Sequence, residues 1–125
     1  MKTRELLEKH PNATEIIVDY YNTLITSTIT GDMPENFQEF LKANGFNINN
    51  LETVINANPR SLLDVFDEHE IYASLDMHFV EGKPIFGVNI NGAVSEIKFA
   101  ERRGAEEYLV MSCIKFLDDK VNEVS

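Results

Sequence analysis

Apolar residues recur at helical spacing through the first half of the chain and at every second position after residue 70. Ile16, Ile17, Tyr20, Tyr21, Leu24, Ile25 and Ile29 form one broad stripe. It follows Asn12-Ala13-Thr14-Glu15, which has capping-box spacing, and ends at Gly31. Asp32-Met33-Pro34-Glu35 predicts the opening of a second helix, with Phe37, Phe40 and Leu41 inward and Gly45 at its C-cap. A short third helix is predicted from Asn50 to Ala57, carrying Leu51, Val54 and Ile55. Asn58-Pro59 starts a fourth, with Asn58 as cap, Pro59 in the first turn, and Leu62, Leu63 and Phe66 buried.

Beyond His69 the period changes to two. Ile71, Ala73, Leu75, Met77 and Phe79 alternate with Tyr72, Ser74, Asp76 and His78, as in a strand solvated on one face. Phe86, Val88 and Ile90 mark the inner face of a second strand, and Ile97 and Phe99 a third. Asn91-Gly92 suits a type I′ hairpin, since both central residues of that turn need positive φ. A two-residue loop there pairs Ile90 with Ala93, Val88 with Ser95 and Phe86 with Ile97. Taking Glu81-Gly82 as the preceding loop pairs Phe79 with Pro84, Met77 with Phe86, Leu75 with Val88 and Ala73 with Ile90. Both turns place the apolar set on one face, and a slip of one residue would expose it.

A final helix is predicted from Glu101 to Asn122. Ala105, Tyr108, Leu109, Ser112, Cys113, Phe116 and Leu117 form the stripe that covers the sheet. Val110, Ile114 and Val121 widen it, either to pack on the N-terminal helices or to bind a second copy. The predicted class is α+β: a helical N-terminal half, then a three-stranded antiparallel meander covered by a long C-terminal helix. Residues 1–125 are expected to form one domain, with a helical subdomain 1–57 and an α-β-β-β-α layer 58–125.

Composition narrows the chemistry. The chain has 125 residues and a formal charge of −10, which opposes holding nucleic acid by bulk charge, because phosphate binding rests on Lys and Arg. At 43% hydrophobic and 26% charged residues the composition is globular. Cys113 is the only cysteine, in an apolar helical setting, so an internal disulfide and a cysteine-based zinc site are excluded. The segment Met1 to His10 has no apolar core of a signal peptide, and no apolar run approaches the ~20 residues of a membrane helix. A reduced, soluble, cytoplasmic protein is expected.

The second half resembles a double-stranded-RNA-binding domain over residues 58–117. Asn58-Pro59-Arg60-Ser61-Leu62-Leu63 is similar to the opening helix of that family, and Ile71-Tyr72 to its first strand. Phe86-Gly87-Val88-Asn89-Ile90 matches its second strand, and Glu101-Arg102-Arg103-Gly104-Ala105-Glu106 is similar to its basic final-helix start. The resemblance implies the fold order and, in the family, duplex RNA as ligand. This chain departs from the pattern where such domains touch RNA. Glu106 stands at the third basic position, Gly82-Lys83-Pro84-Ile85 lacks the loop histidine, and Asp64 and Val65 replace polar first-helix residues. Residues 58–117 carry six basic and ten acidic side chains, a formal −4. Without the basic set most of the phosphate-directed affinity is lost.

Other motifs are weaker. Phe37 to Val54 has helix-turn-helix spacing, but 49–57 offers no basic residue to DNA. Tyr20-Tyr21 reads as helix core rather than a base-stacking pair. No P-loop, dinucleotide-binding glycine pattern or nucleophile elbow is present, and no cofactor is implied. The leading expectation is a small acidic, non-enzymatic binding or regulatory protein. It would act through Tyr72, Asp76, His78, Asn89, Glu96 and Lys98 on the polar sheet face, toward a basic or nucleic-acid-binding protein. An alternative is duplex or structured RNA bound through Lys83, Arg102 and Arg103. A third is a small metal-dependent enzyme centred on Asp76 and His78, which share a strand face. Homodimerisation through Val110, Ile114 and Val121 fits all three.

Overall fold

Six α-helices and three strands make up the computed structural model, which describes residues 2–28, 32, 34–43 and 45–124. In order they are α1 (Thr3–Lys9), α2 (Pro11–Thr28), α3 (Glu35–Ala43), α4 (Ile48–Ala57), a 3₁₀ turn (Pro59–Leu62) and α5 (Leu63–Glu68). Then come β1 (Ala73–Val80), β2 (Lys83–Ile90), β3 (Ala93–Phe99) and α6 (Arg102–Val124). The expected helix end at Gly31, the stripe residue Ile29, and the inward side chains Phe37, Phe40 and Leu41 lie outside the described residues.

Local chemistry explains two of the helix starts. Asn47 caps α4: its side chain accepts from the N–H groups of Asn49 and Asn50, and the Asn50 side chain accepts from Asn47 N. Asn58 accepts from Arg60 N at 3.2 Å, and Pro59 occupies the first position of the 3₁₀ turn. Two starts differ from expectation. A helix α1 precedes α2, docked by Thr3 on Asn56 and by Arg4 on Asn49 and Glu52. Helix α2 begins at Pro11, so Asn12 is inside it rather than its cap. The Thr14 hydroxyl donates to Leu7 O and His10 O, and Ala13 N donates to the Asp118 carboxylate of α6 at 3.0 Å. The cap arrives from a residue 105 positions away, which local spacing cannot reveal.

Helix α6 organises the molecule. It packs on all three strands, on the 3₁₀ turn and on α2. Ala105, Leu109, Val110, Cys113, Ile114 and Leu117 are each at most 2% exposed and wrap about half the helix circumference. Its charged residues satisfy the open ends of other helices. Asp118 caps α2, the Arg103 guanidinium donates to Asn56 O and Ala57 O at the end of α4, and Lys120 donates to His69 O after α5 at 2.6 Å. Val110 and Ile114 are therefore interior, and Val121 is packed against the same core, so these residues do not form a surface for a second copy. Two stripe residues are more open than expected: Leu24 is 44% and Phe116 46% exposed.

The sheet order is β1-β2-β3, antiparallel throughout. All four predicted β1–β2 pairs are present, from Ala73↔Ile90 to Phe79↔Pro84. Glu81 and Gly82, like Asn91 and Gly92, have positive φ, as two-residue I′ turns require. The β2–β3 ladder starts as expected at Ile90↔Ala93, then slips, and Phe86 pairs with Phe99 instead of Ile97. A bulge between Gly87 and Asn89 causes the change. Within it Ile97 N donates to Ser95 Oγ at 3.1 Å, a local bond that replaces a ladder bond. Phe99 thereby reaches Tyr108 on α6, with ring centroids 5.4 Å apart, and Ile97 is left 49% exposed.

Two features at the start of β1 set its position. Glu70 has φ of 60° and closes α5 in a Schellman turn, with Ile71 N donating to Phe66 O and Glu70 N to Asp67 O. Asn91 then clamps the chain: its N–H donates to Tyr72 O, its Oδ1 accepts from Tyr72 N, and its Nδ2 donates to Glu70 O. A left-handed glutamate is strained, so Glu70→Gly should raise stability by about 0.5–1 kcal/mol, read as a higher urea midpoint.

The Cys113 thiol is fully buried, and burial pushes its pKa up to about 12 from 9.0. The folded state therefore keeps the proton that the unfolded state loses above about pH 9, and stability falls as pH rises from there. Wild type should lose about 1.3 kcal/mol more than Cys113→Ala between about pH 10 and pH 11. The native thiol should not react with a disulfide reagent until the protein is unfolded.

Candidate functional site

Helix α6 covers one sheet face, and among the described residues the opposite face carries no other element. On that open face the register sets Asp76, Gly87 and Lys98 in one row across the three strands. A Cβ on Gly87 would lie 2.9 Å from Lys98 Nζ, so the lysine side chain lies across the middle strand at the glycine and would have to shift its tip for a larger residue. Of the six predicted surface residues, Tyr72, Asp76, His78, Glu96 and Lys98 are exposed. Asn89 is half-buried, and its Oδ1 accepts from Gly92 N at 2.9 Å, so it shapes the β2–β3 turn instead. The Asn91 clamp holds the backbone of Tyr72, whose side chain is 59% exposed.

Exposed apolar residues concentrate on the same sheet. Among the described residues nine large hydrophobics are exposed; five belong to its strands, Met77, Phe79, Val80, Val94 and Ile97, and Tyr72 immediately precedes β1. Met77 and Phe79 lie on the expected inner face, yet they are 51% and 65% exposed. The reason is length. Helix α6 starts beside the Met77–Phe86–Phe99 row, with Arg102 over Phe86 and Gly104 against Phe99, so among the described residues no helix covers the hairpin tip beyond that row. Periodicity identified the face of these residues and carried no information on where the cover ends.

Of the three predicted RNA contacts, Lys83 and Arg102 lie at the uncovered end of the sheet and Arg103 is engaged elsewhere. Lys83 is exposed at the β1–β2 turn, and the Arg102 guanidinium rests 4.9 Å from the Phe86 ring centroid. Arg103 is committed elsewhere, bonded to Glu107 at 3.0 Å and to the α4 carbonyls. Glu106 is only 7% exposed and lines a cavity against β1, so it is not presented on the open surface with Arg102 and Arg103. Asp64 is exposed, whereas Val65 is fully buried. Asp76 and His78 share the open face, but among the described residues no group of three His, Cys, Asp or Glu side chains is placed to hold a metal ion.

The upstream motifs are structural. Phe46, in the turn between α3 and α4, is held by Asn22 through two 2.8 Å hydrogen bonds. Tyr21 stacks on Phe46 at 4.6 Å and donates to Ser61 O, while Tyr20 meets it edge-on at 87°. Burial raises both phenols above their usual pKa; Glu68 and Asp64 add to this at Tyr20, and Tyr20 and Asp64 at Tyr21.

A cavity of about 280 Å³ lies between β1, the 3₁₀ turn and α6, lined in part by Arg60, Arg102 and Glu106. Among the described residues no helix is long and apolar enough to cross a membrane. The chain matches no protein-family model, no curated protein and no solved structure.

Proposed function

We propose that the chain is a non-enzymatic protein-binding module acting through the open face and projecting tip of its sheet. The observation that carries this reading is the concentration of exposed apolar side chains on one three-stranded element: Tyr72, Val80 and Val94 share the open face with Asp76, His78 and Lys98, and Met77, Phe79 and Ile97 are exposed on the other face. Contiguous exposed apolar surface rimmed by polar residues is characteristic of association sites. The net charge of −10 favours a basic partner, since complementary charge speeds encounter.

A photo-crosslinking residue placed at Tyr72 tests the proposal against one placed at exposed Glu15 on α2. Position 72 should yield one discrete adduct in a native extract, and position 15 none. Equal labelling from both sites, or none from either, counts against the open face.

A second reading, structured or duplex RNA, draws on Lys83 and Arg102, both at the uncovered end of the sheet. It predicts a gel shift that weakens steeply with salt and is reduced by Arg102→Glu. Arg103→Glu is a poor test, because it also unseats the end of α4.

A further inference from the structure

We propose that the cavity between β1, the 3₁₀ turn and α6 binds an α-amino acid with an apolar side chain. Glu106 lines this cavity at 7% exposure, and among the described residues its carboxylate has neither a hydrogen bond nor an ion pair. Its oxygens are not among the polar atoms sealed from solvent, so they open to the cavity, where a bound donor can reach them. Arg102, four residues earlier on α6, has the spacing of an ordinary partner, but its guanidinium rests over Phe86. Arg60 faces the same cavity and has no carboxylate partner either. Opposite charges therefore line one space without pairing, and Leu63, Leu75 and Leu109 supply its apolar wall.

A zwitterion satisfies all three features. Its ammonium sits on Glu106, its carboxylate on Arg60 and Arg102, and its side chain on the leucines. A simple anion would leave Glu106 without a donor, and a simple amine would face two arginines. The volume, about 280 Å³, lies near the lower end of small-molecule pockets (roughly 300–1,000 Å³), the size for one amino acid and too small for a nucleotide. The cavity lies toward α6, away from the open sheet face, so the proposal stands independently of the protein-binding reading.

Titration calorimetry and thermal melting of the full chain test it with L-leucine, L-valine and L-phenylalanine as probes. The controls are L-leucine methyl ester, which lacks the carboxylate, 4-methylpentanoate, which lacks the ammonium, and glycine, which lacks the side chain. At least one apolar amino acid should give saturable heat and a raised melting temperature, with each control weaker by about tenfold or more. Glu106→Gln and Arg60→Ala should weaken it by a similar factor while the circular-dichroism spectrum stays native. Arg60 is exposed, so its variant remains informative if Glu106→Gln misfolds. Absence of saturable heat with all three amino acids up to about 10 mM overturns the proposal. So does undiminished binding of the methyl ester, or of L-leucine by Arg60→Ala.

Discussion

Ile114→Ala should lower stability by about 2–4 kcal/mol and leave the mass in solution unchanged. Ile114 is fully buried in a helix that meets the sheet on one side and α2 on another. Removing its methyl groups opens a cavity between layers that the intact backbone can close only in part. A residue on a dimer surface would behave in the opposite way, with little loss of monomer stability and a drop in mass. Urea denaturation and light scattering on the same variant separate the two outcomes.

Asp118→Ala should cost about 2 kcal/mol, a large effect for a polar residue. The carboxylate is 8% exposed and accepts the Ala13 N–H, one of the open donors in the first turn of α2. Alanine leaves that donor buried and without a partner. Asp118→Asn keeps an acceptor oxygen and should lose less than half as much, while giving up the charge that favours a helix N-terminus. Denaturation midpoints of the two variants, with Asp119→Ala as an exposed control, check the order.

The contrast between Asp118 and Asn47 shows how far this sequence can be read. Asn47 caps α4 through residues two and three positions on, and signals of that kind fall within a short window. The same holds for the β1–β2 register, which follows from alternation and a two-residue turn. Asp118, Arg103 and Lys120 act across the fold, so on the chain they look like ordinary surface charges of a long helix. Ile97 failed for a related reason. The Ser95 side chain diverts its N–H into a bulge, and alternation alone cannot count the extra residues.

The candidate surface is only partly legible in the sequence. The outer face of β1 followed from period two, and Tyr72, Asp76 and His78 are exposed there. Asn89 was assigned to the same surface by its parity, but its side chain is used in the turn. Glu106 occupies a basic position of the RNA-binding pattern on the chain, and the structure places it in a cavity that Arg60 also lines. Burial of one polar residue on an amphipathic helix depends on which neighbours surround it, and those come from β1 and the 3₁₀ turn. The exposed tip formed by Met77 and Phe79 depends on where α6 begins relative to a strand some 25 residues earlier in the chain.

The open face is tested most directly by a variant that changes its chemistry and leaves the fold alone. Tyr72→Ala, Asp76→Lys and Lys98→Glu together alter exposed side chains only, so the melting temperature should stay within about 2 °C of wild type. Recovery of the protein that crosslinks to the native chain should fall at least about tenfold with this triple variant. Undiminished recovery by a variant of native stability would contradict a binding role for the sheet.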